Sequence, residues 1–284
     1  MENFKNKVAV ITGAASGIGA ALAENLARQG CNLALADINE KGLEAISERL
    51  ASTGVQISQH VLDVANKKAV ERFAANVMQQ HKGVNLVINN AGVALAETVD
   101  QMSYENFEWL MNINFWGVVY GTKAFLPYLK QSTDAHIVNV SSVFGLYAVP
   151  TQSAYNAAKF AVRGFTESLQ EELRIEDSNI QCTCIFPSGI KTNIAQNGRM
   201  GSTPDKYHAD ELRDNFDKYA HTSPAQAAES ILNAVRKNKE RALIGPDAYA
   251  MDIFQRLMPS KYKQLFVQGT RLANWWRDKR NTTA

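Results

Sequence analysis

The chain has 284 residues, 45% hydrophobic and 20% charged, with a formal net charge of +2. That length and apolar content provide a sizeable core, and so mild a charge excludes the electrostatic footprint of a nucleic-acid-binding protein. Three cysteines, Cys31, Cys182 and Cys184, form no disulfide framework and indicate reducing surroundings.

The apolar run before Gly13 is too short for a signal-peptide core, and no stretch approaches a membrane span, so the cytoplasm is the expected location. Short β-type runs are predicted at Lys7–Thr12, Asn32–Asp37, Ile57–Asp63, Leu86–Asn89, His136–Ser141, Ile180–Phe186 and Arg241–Ile244. Between them lie helical stretches near 17–29, 40–52, 66–81, 103–130, 153–176 and 224–237, with Asn66 and Ser103 as N-caps and Gly30 as a C-cap. Runs such as Val8-Ala-Val-Ile11 are apolar on both faces, as parallel strands covered by helices must be. The alternation predicts an α/β fold, a doubly wound seven-stranded parallel sheet with helices on both faces. Cys182 and Cys184, two apart in an apolar run, read as core packing on one strand face rather than as a metal or redox site, and no metal is implied.

The first strand runs into Thr12-Gly-Ala-Ala-Ser-Gly-Ile-Gly19 and then a helix. Gly13 permits a tight turn, and Gly17 and Gly19 allow a pyrophosphate to approach the helix N-terminus, where free N–H groups favour an anion. Gly-rich turns also arise from close helix–sheet packing alone. The second strand ends in Asp37, placed to accept hydrogen bonds from ribose hydroxyls and to repel a 2′-phosphate. No basic residue lies within Ala14–Ile18, so NAD is favoured over NADP.

Three further segments end strands or open a helix: Leu86-Val-Ile-Asn-Asn-Ala-Gly92, Val138-Asn-Val-Ser-Ser-Val-Phe-Gly145 and Tyr155-Asn-Ala-Ala-Lys159. Ligands in such sheets bind beyond the carboxyl ends of strands, so all three converge on one crevice, and Tyr155 and Lys159 share a helix face. With these motifs in order, the chain resembles the short-chain dehydrogenase/reductase family over about residues 5–245. The resemblance implies a Rossmann-type catalytic unit over 1–246, a substrate loop at 190–222, a helical extension at 247–284, and a homodimer or homotetramer formed through the helices near 103–130 and 153–176.

It also implies the site. Tyr155 is the general acid/base, Lys159 stabilises its phenolate and binds the nicotinamide ribose, Ser142 holds the substrate oxygen, and Asn114 holds a relay water. The cofactor contacts implied are Gly13, Ser16, Gly17, Ile18, Gly19, Asp37, Asp63, Val64, Asn90, Ala91 and Gly92, together with Tyr155, Lys159, Ile190 and Thr192. The family commonly has Pro-Gly where this chain reads Pro187-Ser-Gly189, so Ser188 is expected to crowd the nicotinamide or alter the local backbone.

Expected pocket walls, Val93–Ala96, Val143–Pro150 (with Phe144, Leu146 and Tyr147) and Met200, carry no Arg clamp for a carboxylate. The reading is an NAD-linked oxidoreductase for an uncharged, lipophilic alcohol or ketone, with a 3-oxoacyl thioester reductase and a non-catalytic dinucleotide-binding sensor or scaffold as alternatives. Tyr262, Leu265/Phe266, Leu272/Ala273 and Trp276 fall at helical spacing, and residues 261–280 hold six Lys/Arg against one Asp. Packing on its own domain or a partner subunit is the expected use of this tail, with contact to a membrane surface through 260–280 as the alternative.

Overall fold

The computed structural model describes residues 1–192, 194, 196, 198–201 and 220–282, with side chains described as far as residue 272 except at 266. The apolar runs form β1 (Val8–Thr12), β2 (Asn32–Asp37), β3 (Ile57–Val61), β4 (Leu86–Asn89), β6 (Ala135–Val140), β7 (Ile180–Pro187) and β9 (Arg241–Ile244). They join in one seven-stranded sheet in the order β3-β2-β1-β4-β6-β7-β9, every pair parallel. The order reverses between β1 and β4, which opens a crevice at their carboxyl ends. A two-residue pair, β5 (Leu95–Ala96) with β8 (Arg199–Met200), lies outside the sheet and was not foreseen.

The helices are α1 (Gly17–Arg28), α2 (Glu40–Leu50), α3 (Lys67–His81), α4 (Tyr104–Met111), α5 (Gly117–Leu129), α6 (Ser153–Ile175), α7 (Pro224–Arg236), α8 (Pro246–Leu257) and α9 (Lys261–Thr282). Strand side chains alternate between two apolar layers. Ile11, Leu35 and Ile88 pack with Leu22 and Leu26 of α1, Ile46 of α2 and Ile231 of α7. Val10, Ala34 and Val87 pack on the other face with Phe73 of α3, Phe125 of α5 and Leu169 of α6. Each fully buried Leu, Ile or Phe contributes about 1.5–3 kcal/mol by leaving water.

The caps follow the sequence. Asn66 accepts from the Ala69 N–H and Ser103 from the Asn106 N–H, while Gly30, just beyond α1, takes a left-handed φ of 76°. The stretch expected as one helix over 103–130 is instead α4 and α5 joined by a π turn at Asn112–Trp116. Residues 202–219 of the expected substrate loop lie outside the described residues. All three thiols are buried, and burial pushes Cys31 and Cys184 up to about 12 and raises Cys182 as well.

His136 is wholly buried in β6, its Nε2 2.7 Å from the Thr183 hydroxyl. Thr183 donates its own proton to the Lys239 carbonyl, so it accepts from a neutral imidazole protonated at Nε2. Burial holds this imidazole down at about 3. The stabilisation is complete above the unfolded value near ~6.5 and is lost as pH falls below it, because only the unfolded chain then takes up the proton. From pH 7 to pH 5 this one group should remove about 2 kcal/mol of unfolding free energy. Urea titrations at both values should show His136→Leu losing less stability than wild type by about that amount, and equal losses would contradict the assignment.

Candidate active site

The cofactor crevice begins with backbone geometry. Gly13 turns at φ 67°, and a Cβ there would stand 2.9 Å from the Ala91 Cα; one on Gly19 would stand 2.0 Å from the Gly13 oxygen. Only glycine lets the chain double back so closely. Ser16 precedes α1 without a side-chain cap bond, so the first-turn N–H groups are left to an anion. Ile18 lies half-buried in that first turn.

Thr12, unassigned from sequence beyond its place in the glycine motif, couples this turn to the neighbouring strand. Its hydroxyl accepts from the Asn90 N–H at 3.0 Å and the Ala91 N–H at 3.1 Å. Asn90 returns the contact, its Nδ2 donating to the Thr12 and Gly13 carbonyls at 3.0 and 3.3 Å. Asp37 reaches the same turn: its two oxygens accept from the Ala15 N–H at 3.0 Å and the Asn39 N–H at 2.9 Å. Asp63 is exposed and accepts from the Ala65 N–H, whereas Val64 is buried beside Gly117 of α5.

On the other side of the crevice, β6 ends at Val140 and delivers Ser141 and Ser142. Ser141 donates to the Lys159 carbonyl at 2.8 Å, and Lys159 Nζ donates to the Val140 carbonyl at 2.9 Å. The start of α6 is thereby tied to the end of β6 from both directions. The Ser142 hydroxyl accepts from the Phe144 N–H and lies close enough to the Tyr155 phenol to favour its ionisation. Lys159 Nζ stands 5.6 Å from the Tyr155 ring centre. Burial dominates both titrations, pushing Tyr155 up to about 12, against the lowering effect of Ser142, and Lys159 down to about 8.

Asn114 occupies the π turn, fully buried. Its amide exchanges two 2.8 Å hydrogen bonds with the Val93 backbone, donating to the carbonyl and accepting from the N–H. The side chain thus holds the loop after β4, and this loop also carries Gly92, where a Cβ would lie 3.2 Å from Asn114 Oδ1 and 3.7 Å from Lys159 Nζ. Behind these groups a buried chain of polar contacts runs from Asn89 to Asn139 at 2.8 Å and on to Thr166 of α6 at 3.1 Å.

After β7 the chain returns over the crevice. Thr192 overhangs the glycine turn, its Cγ2 3.0 Å from a Cβ placed on Gly17, but the Ile190 side chain is buried in the core. Ser188 keeps an ordinary negative φ, and its hydroxyl lies 2.6 Å from Asp247 Oδ1, at the start of α8, and 3.1 Å from the Ile244 carbonyl. Of the pocket walls, Phe144 packs edge-on against Tyr155 and Tyr147, and Leu146 is buried. Tyr147 donates to Met251 Sδ and packs against Tyr262, so the C-terminal helices cover this wall.

Residues 7–202 match the short chain dehydrogenase family. The chain belongs to this family. It is 45% identical to a putative oxidoreductase SadH of Mycobacterium tuberculosis over 269 residues, 95% of this chain and 97% of that one. A CLA biosynthesis dehydrogenase/reductase of Lactiplantibacillus plantarum is 30% identical over 281 residues, 95% of this chain and 96% of its own. A short-chain dehydrogenase/reductase from Burkholderia phymatum solved in complex with NAD superposes with a TM-score of 0.85 at 29% identity, covering 92% of this chain and 97% of that one. An alcohol dehydrogenase from the archaeon Thermococcus sibiricus, complexed with 5-hydroxy-NADP, gives 0.72 at 27% identity over 84% of this chain and 95% of its own.

This short-chain dehydrogenase is therefore an oxidoreductase with the fold of dinucleotide-binding relatives. Its closed glycine turn, uncapped α1 N-terminus and overhanging Thr192 fit a nicotinamide dinucleotide. Thr12→Val should leave the Asn90 and Ala91 N–H groups without an acceptor and cost about 1–3 kcal/mol of stability. It should also weaken dinucleotide binding. Chemical denaturation beside a binding titration checks this, and an unchanged pair of values would remove Thr12 from the site.

Proposed function

We propose that the chain is an NAD(H)-dependent alcohol dehydrogenase or carbonyl reductase acting on an uncharged, lipophilic substrate, with Tyr155 as general acid/base. The observation that carries this reading is the group at the end of β6, where Ser142 lies near the Tyr155 phenol and buried Lys159 has its Nζ 5.6 Å from the Tyr155 ring centre. The dinucleotide, when bound, supplies or accepts the hydride at the substrate carbon. In reduction Tyr155 gives its proton to the carbonyl oxygen; in oxidation it takes the alcohol proton. Ser142 orients that oxygen.

Phenol burial opposes base formation, so the Lys159 ammonium must offset it by favouring the phenolate. Lys159 also binds the nicotinamide ribose hydroxyls. Asn114 holds the Gly92–Val93 backbone in place and keeps its role in a proton relay through a water. Gly13, Ser16, Gly17, Ile18 and Gly19 cradle the pyrophosphate, and Asp63, Val64 and Asn90 to Gly92 flank the adenosine. Ile190 and Thr192 are assigned to the carboxamide.

The preference for NAD is supported by Asp37, whose carboxylate sits on the glycine turn where a ribose 2′-phosphate would be repelled. We assign 1–246 as the catalytic unit, 190–222 as its substrate loop and 247–284 as an extension. Homo-oligomer contacts are assigned to α4, α5 and α6 and the turn between them, where Tyr104, Trp116 and Phe160 are exposed.

Titration with NADH and NADPH, followed by tryptophan quenching, should show tighter NADH binding that Asp37→Ala weakens. Preference for NADPH would overturn the cofactor assignment. Tyr155→Phe should keep NADH affinity and lose turnover by about 10²–10⁴; retained turnover would overturn the catalytic one.

A further inference from the structure

Among the described residues, fourteen large hydrophobic side chains are exposed, and seven of them stand on α8 and α9. On α8, Tyr249, Ile253 and Leu257 recur every four residues and so share one outward face. The opposite face is occupied, with Ala248 buried and Met251 against Tyr147. On α9, Leu265 and Leu272 are about half exposed, at 48% and 57%, and share a face seven residues apart. The packing on its own domain expected for the tail is confined, among described α9 side-chain contacts to the pocket wall, to Tyr262.

The exposed charge on the described part of α9 has one sign. Lys261, Lys263 and Arg271 are exposed, and residues 261–272 contain no Asp or Glu. The two carboxylates of α8 are already engaged, Asp252 by Arg241 and Arg256 and Asp247 by Ser188. The sequence continues with Arg277, Lys279 and Arg280 against Asp278, so 261–280 carries six positive charges and one negative, a net +5. A second copy docking symmetrically through this face would bring two such helices together. An anionic surface with an apolar interior meets both features, because basic groups attract lipid phosphates while apolar side chains enter the acyl boundary.

We propose that α8 and α9 dock this protein onto an anionic phospholipid surface. Because Met251 and Tyr262 touch Tyr147 in the pocket wall, docking brings that wall near the lipid. The inference stands independently of the cofactor and substrate assignments.

The test is flotation of the full chain with vesicles of phosphatidylcholine alone and of phosphatidylcholine with phosphatidylglycerol. Sedimentation without lipid gives the oligomeric state. Binding should need phosphatidylglycerol and weaken with salt. It should fall about ten-fold or more in the triple variant Lys261→Glu/Lys263→Glu/Arg271→Glu and also in Ile253→Ser/Leu257→Ser, both retaining wild-type NADH binding. Failure to bind at low salt, equal binding to phosphatidylcholine alone, or unchanged binding by both variants overturns the proposal. So does a change in oligomeric state with vesicle binding retained, which would give the face to a second copy.

Discussion

A lysine ammonium held almost out of water, 3% exposed, is the constraint around which the site is built. Desolvation of such a charge is costly unless its donors are used, and here Nζ donates to the last carbonyl of β6. The residue's own carbonyl accepts in turn from Ser141. These two bonds fix the azimuth of α6 on the sheet, and Tyr155, one turn earlier on the same face, is brought to Ser142 as a consequence. The apolar cost that lowers Lys159 to about 8 still leaves it mostly protonated at neutrality, a charge placed beside a phenol that burial has raised to about 12.

The parallel sheet supplies the rest of the geometry. Because β1 and β4 are neighbours, Thr12 can bind the backbone after β4 while Gly13 doubles back toward Ala91. A single hydroxyl therefore joins the glycine turn to the loop that Asn114 holds from the other side. The buried Asn89–Asn139–Thr166 chain ties β4 and β6 to α6 beneath them, with Asn89 Oδ1 left without a partner. Both halves of the crevice are set by hydrogen bonds made inside the protein.

Much of this was legible in the sequence, for physical reasons. Doubly apolar runs such as Val8-Ala-Val-Ile11 announce a covered parallel sheet, and the seven predicted runs gave the seven strands of the main sheet to within two residues at each end. Glycine at 13 and 19 and the Tyr155–Lys159 spacing each report a geometric demand that few other residues satisfy. Less legible were features set by tertiary contact. Nothing in Asn112-Ile-Asn-Phe-Trp116 distinguishes a π turn from an α-helix, and Thr12 reads as an ordinary strand end until β4 is beside it. The burial of Ile190, the Ser188–Asp247 contact and the β5–β8 pair depend on chain segments far apart in sequence. The tail's helix was legible from its spacing; its exposed apolar face was not, because spacing cannot say whether a partner element is present.

The central claim is that Tyr155 is a half-buried phenol whose ionisation Lys159 and the bound oxidised cofactor control together. An ultraviolet titration of phenolate, comparing wild type with Tyr155→Phe, isolates this one group. The account predicts a Tyr155-dependent step near about 12 for the protein alone, moved down by oxidised dinucleotide and moved less in Lys159→Met. A step at the same pH with and without the cofactor, or one unaffected by loss of Lys159, would contradict it.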